Sequence, residues 1–160
     1  MLLNLYYDCV EFLVSKGAHK IIHSDRTFLD HCIGVARLLD RLECDDETII
    51  AGLLHNCYGN EYYNPNLNIT REEIKNIVGV DIENIVYLFV TTKRENIIKQ
   101  ENIKLLMIYL INHFEQIKVD ENIKDKVFSI IKKIKQRCEI EYNINFINKN
   151  IKLIKEEYKL

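Results

Sequence analysis

The chain has 160 residues, 48% hydrophobic and 29% charged, with a net charge of −2, which suits one globular domain with a substantial core. Its longest apolar run, LLMIYLI at 105–111, falls well short of the ~18 residues of a membrane-spanning helix. No basic segment with interleaved aromatics marks a nucleic-acid surface in the core region.

One proline and five glycines leave few breaks, so a mostly helical, all-α chain is expected. No segment shows sustained period-two alternation, so no sheet is expected. A first amphipathic helix spans about 2–16, with Leu5, Cys9, Phe12 and Leu13 on one face, and stops near Gly17. The connection AHKIIHSDRT leads to a second helix at about 27–42, striped by Phe28, Cys32, Val35, Leu39 and Leu42. ECDDETIIAGLLHN carries a third helix, with Asp45 or Asp46 as its cap. The polar stretch YGNEYYNPNLN is the one long loop. TREE at 70–73 reads as a capping box, opening a short helix that ends at Gly79. Further helices follow at about 81–92 and 100–117, then two basic amphipathic helices at about 121–139 and 143–158.

Charge divides the chain. Residues 1–117 hold 11 basic and 17 acidic side chains, whereas residues 118–160 hold 11 basic and 7 acidic. The expected organisation is a helical domain over 1–117 and a helical extension over 118–160 packed on it. The five cysteines, Cys9, Cys32, Cys44, Cys57 and Cys138, include no C-x-x-C pair. That odd count points to small core-filling residues in a reduced, cytoplasmic setting, not to a disulfide or zinc-knuckle framework.

Two helices bring chemistry inward. Thr48, Ala51, Gly52 and His55 share one side of the third helix by three-and-four spacing, and His31 lies beside the apolar stripe of the second. A short link between antiparallel helices brings the two imidazoles together, as metal ligands or as hydrogen-bonded interior histidines. Asn112 follows the seven apolar residues 105–111 in the most apolar helix. A buried amide there needs partners, and His31, His55 or a bound ligand are the natural ones.

The order of these residues resembles the HD-domain phosphohydrolases, nearest to the ppGpp-hydrolase domain of RelA/SpoT-type enzymes. The likeness covers about Ala18 to Ile117. AHKIIHSDRTFLDH resembles the approach to that family's first metal histidine, DDETIIAGLLHNCYGNE its His-Asp helix, and LLMIYLINHFEQI the helix of its final Asp. More narrowly, HS…TFLDH…AGLLHNCYGNE looks like a small uncharacterised HD-like bacterial family in which the metal aspartates are replaced. The resemblance implies a divalent ion (Mn, Fe or Zn) held by His31, His55, Asn56 and Asn112. It also implies a ligand pocket including His23, Ser24, Tyr58 and Asn60. Both matching carboxylates are amides here, and the family's catalytic acid pair maps to Gly59-Asn60, with Glu61 one residue beyond. A second set, His23, His31, His55 and Glu61, would suit a softer ion such as zinc or iron(II).

Three functions follow as expectations. One is a metal-dependent hydrolase-like enzyme acting on a nucleotide- or phosphate-like small molecule, with Glu61 and His23 as catalytic groups. Another is a metal-free small-molecule binding module. The third is a protein-interaction domain using the basic C-terminal helices. No nucleic-acid or membrane partner is expected, and the oligomeric state is left open.

Overall fold

The computed structural model describes residues 2–97, 99 and 102–117, with four isolated positions beyond. The division at 118, the helices expected at 121–139 and 143–158, and the interaction surface assigned to them lie outside the described residues.

Helix α1, Leu2–Ser15, buries Cys9 and Leu13 completely, with Leu5 and Phe12 half-buried beside them. It stops where Gly17 takes a left-handed conformation, φ 87°, which costs least without a Cβ. A single turn at Ala18–Lys20 leads into a two-stranded antiparallel hairpin. Strand β1, Ile22–His23, pairs with β2, Arg26–Thr27, His23 opposite Arg26. This corrects the expectation of no sheet: strands of two residues are too short to leave an alternating pattern.

Helix α2, Phe28–Arg41, begins at a capping box. The Thr27 hydroxyl accepts from the Asp30 amide, and the Asp30 carboxylate accepts from the Thr27 amide. All five residues of its expected stripe are buried. Helix α3, Asp46–Leu54, is capped by Asp45, whose carboxylate accepts from the Thr48 amide at 2.8 Å. A Cβ on Gly52 would lie 2.2 Å from Leu39 Cδ1, so the missing side chain is what lets α2 pack this closely on α3.

Helix α4 runs Arg71–Thr91 from the Thr70/Glu73 capping box. Gly79, φ 83° and ψ 173°, is non-helical and kinks this run sharply, so α4 consists of two helical stretches, one on either side of Gly79, as the sequence led one to expect. An ion pair clamps the bend. Arg71, in the first turn, meets the buried Glu83 carboxylate beyond the kink through two hydrogen bonds of 2.6 Å, and the Tyr58 hydroxyl donates to the same carboxylate at 3.0 Å. Burial pushes Glu83 up, but its bonds to Arg71 and Tyr58 prevail and hold it below the usual carboxylate range. Arg71→Ala leaves that carboxylate without its cation and with only Tyr58 as a partner, which should destabilise the protein. A clear fall in the urea midpoint is the expected reading, and an unchanged midpoint would exclude the clamp.

A four-residue helix α5, Arg94–Ile97, precedes α6, Ile103–Ile117, which is buried along almost its whole length. Helix α2 packs on α3 and α6, and α3 also touches α1 and α4. The centre of the fold is therefore the α2–α3–α6 junction, where His31, His55 and Asn112 lie. Cys9, Cys32 and Cys57 are buried free thiols and Cys44 is half-buried. Burial raises all four, Cys9 and Cys44 to about 12. Among the described residues no helix is long and apolar enough to cross a membrane.

Candidate functional site

His31 and His55 are both fully buried. Their Nε2 atoms face each other at 3.2 Å, and the Asn112 Oδ1 lies 3.1 Å from the His55 Nε2. The opposite nitrogen of each ring is already committed. His55 Nδ1 donates to the Gly52 carbonyl at 2.7 Å, and His31 Nδ1 donates to the Glu115 carboxylate.

Glu115 and Arg26 were not legible as site residues. Glu115 is 2% exposed, and the Arg26 guanidinium grips it with a fork, at 2.7 Å to one carboxylate oxygen and 2.8 Å to the other. Arg26 also donates to the Glu115 carbonyl at 3.1 Å. The hairpin is what carries Arg26 under the end of α6. One sequence signal existed. Glu115 follows Asn112 by three and Ile111 by four, so it shares the inward face of α6.

Gly34 completes the arrangement, because a Cβ there would sit 2.5 Å from the Glu115 Oε1. In an open helix alanine is better than glycine by about 1 kcal/mol. Here Gly34→Ala should instead destabilise by about 1–3 kcal/mol, the usual cost of overpacking, since Glu115 cannot retreat without leaving Arg26 and His31. An unchanged or raised thermal midpoint would contradict this.

Burial lowers His31 to about 3, helped by His23 and Arg26 and opposed by the Asn112 hydrogen bond. Burial lowers His55 to about 3 as well, helped by His31. Both rings are therefore neutral near pH 7. With each Nδ1 protonated, each Nε2 holds a lone pair, and the two lone pairs point at one another with an amide oxygen beside them.

A cavity of about 240 Å³ opens next to this trio. Its wall includes His23, Asn56, Asn60, Glu61 and Asn112, together with Tyr62, Tyr63, Lys93 and Arg94. His31 and His55 lie behind the wall, not on it. Asn56 is 6% exposed and accepts from the Asn60 side chain at 3.2 Å. The His23 ring packs 4.6 Å from His31 and 4.5 Å from Tyr63. The His23 Nε2 and the Tyr63 hydroxyl are buried without a hydrogen-bond partner among the described residues. Arg94 lies 3.8 Å over the Tyr62 ring on the same wall.

The structure does not bring Ser24 or Tyr58 to this cavity. Ser24 is exposed in the hairpin turn at φ 64°, and the Tyr58 hydroxyl is spent on Glu83. The alternative metal set of His23, His31, His55 and Glu61 does not gather either. Glu61 is exposed beside Tyr62, and among the described residues no three His, Cys, Asp or Glu side chains form a metal-binding group.

The His31–His55–Asn112 trio does fit a metal of the imidazole-preferring kind. Bonds of about 2.0–2.1 Å around a four-coordinate ion set its ligands roughly 3.3 Å apart, close to the 3.2 and 3.1 Å separations here. Imidazoles that donate their far N–H to a carboxylate and to a backbone carbonyl are also how metal-binding histidines are normally held.

Residues 12–94 match the family described as Domain of unknown function (DUF6817). A search of curated proteins gives no match. Among solved structures the chain is similar to a metazoan ortholog of SpoT, described as hydrolyzing ppGpp and playing a role in starvation responses. The TM-score is 0.64 at 17% identity, covering 96% of this chain and 95% of that one. A likeness at that identity establishes the fold, which is HD-like and all-α apart from the small hairpin.

Proposed function

This chain belongs to the DUF6817 domain family, and we propose that it holds a small phosphate- or nucleotide-like molecule beside a divalent-metal centre, as a divergent, hydrolase-like form of the HD fold. The observation that carries this reading is the pair of imidazole Nε2 atoms facing each other at 3.2 Å, with acceptors at each Nδ1 that assign the lone pairs of the neutral rings to Nε2. Two acceptors face to face repel unless an electrophile lies between them. Imidazole and amide donors favour zinc or iron(II) over magnesium. A metal there supplies Lewis-acid polarisation of a phosphate oxygen and a bound water of lowered pKa.

The chain's own residues account for the rest. Lys93 and Arg94 on the cavity wall attract an anionic group, with Tyr62 and Tyr109 as further lining residues. His23 Nε2 and the Tyr63 hydroxyl gain partners from a polar ligand. Glu61 is the carboxylate on this wall available to accept a proton.

A second reading, a metal-free binding module, is supported by the neutrality of the trio, since among the described residues no carboxylate is found bonded to either Nε2 atom. In that case the Asn112 amide turns and donates its N–H to His55. Hydrolysis of ppGpp at the rate of an intact HD enzyme is expected in neither case, because hard ions prefer charged oxygen ligands.

Elemental analysis of protein purified without a histidine tag separates the two readings. About one equivalent of zinc or iron, lost in His55→Gln, is the expected result. A metal-free protein whose thermal midpoint ignores zinc, iron(II) and manganese would overturn the metal centre and leave the binding module.

A further inference from the structure

We propose that Glu115, held ionised by Arg26, is the positioning residue of the site: it locks His31 in the tautomer whose Nε2 lone pair faces His55 and Asn112. The inference rests on the site reading above and adds a residue to it. Three separate features converge on this carboxylate. It accepts a hydrogen bond from His31 Nδ1. It is gripped through both oxygens by Arg26. Its place beneath α2 exists because residue 34 has no side chain.

The logic is one of donors and acceptors. A carboxylate beside a guanidinium stays ionised and only accepts hydrogen bonds. The nitrogen of His31 that faces it must therefore carry a proton, and in the neutral ring Nε2 is left bare. Left to itself His31 would choose the opposite tautomer. The His55 Nε2 is a bare acceptor 3.2 Å away, because its Nδ1 proton is held by Gly52. A proton on His31 Nε2 would bond to it and quench both lone pairs. Glu115 thus keeps the pair in its ligand-ready state, from one helical turn beyond Asn112.

The test reads the tautomer directly. Long-range 15N–1H correlation spectra of the full chain in metal-free buffer should show His31 protonated at Nδ1 and bare at Nε2. In the double variant Arg26→Met with Glu115→Met, which removes both charges together, His31 should switch to the Nε2-protonated form while His55 keeps its Nδ1 proton. Glu115→Gln, which retains size and one acceptor, is the variant to read if the double variant does not fold, and it should show a mixture. Affinity for cobalt(II), used as the probe ion, should fall 10- to 100-fold in either variant. A purely structural role would lower stability and leave the tautomer alone. His31 remaining Nδ1-protonated in a folded variant would overturn the proposal, as would an Nε2-protonated wild type. Failure of wild type to bind cobalt at all, with the tautomer switch observed, would overturn the metal centre while upholding Glu115.

Discussion

Replacing Asn56 and Asn112 together by aspartate should make the stability of this protein depend on a divalent ion. Both amides are almost wholly buried and both line the cavity beside the two histidines, and Asn112 already aims an oxygen at His55 Nε2 from 3.1 Å. Two carboxylates in that space repel each other and lack solvation, and an uncompensated buried charge costs about 3–5 kcal/mol. The metal-free double variant should therefore unfold at a markedly lower temperature than wild type. Manganese should reverse the loss, because a ligand that binds only the folded state stabilises it by about 2.7 kcal/mol at a hundredfold excess over its dissociation constant. Wild type, with neutral donors, should respond far less to manganese. A double variant no more responsive than wild type would show that the amide positions are not ligand positions.

Acid should unfold the metal-free protein at unusually mild pH. His31 and His55 are lowered from 6.5 to about 3, by burial first and then by neighbouring charge. Between those values the unfolded chain binds protons that the folded one refuses. Stability is therefore fully present above about pH 6.5 and is lost as pH falls from there towards 3. At 1.36 kcal/mol per pH unit, each ring accounts for about 4–5 kcal/mol in the limit. The two facing rings do not act independently, so their joint loss is less than twice that. Even so it is comparable with the roughly 5–15 kcal/mol that holds a domain folded. Glu73, lowered to about 2 mainly by its bond to Lys16, matters only below the ordinary carboxylate range, which leaves pH 6.5 to 5 to the histidines. Urea midpoints measured across that window should fall steeply in wild type and less in His31→Gln. A flat profile between pH 7 and 5 would mean that the rings are not buried neutral.

Much of the local structure could be read from neighbours in the chain. The Thr70/Glu73 box and the Asp45 cap are contacts three residues apart, and the α2 stripe is a period of one helix. His31, His55 and Asn112 were legible for the same reason: each breaks or borders an apolar face, and helical spacing says which way it points. The small residues of α3 announced a close helix approach, which Leu39 makes over Gly52.

Other features depended on partners far away. Gly79 does end a helical stretch, as its position suggested, but the bridge from Arg71 to Glu83 across it joins side chains 12 positions apart. Tyr58 looked like a ligand contact, but its hydroxyl joins that same bridge. Arg26 and Glu115 are 89 positions apart, and His31 and Glu115 are 84. In the sequence both charged residues pass for surface groups, because charges are ordinarily solvated and only a matched partner makes their burial tolerable. The sequence by itself determined the main helices up to residue 117, the Thr70/Glu73 cap and the inward faces of the two histidines and Asn112, all of which follow from spacing within one element. Only the tertiary structure decided the tautomers of those histidines and the buried ion pair behind them, because a proton's position on an imidazole is set by whatever the packed fold places against its other nitrogen.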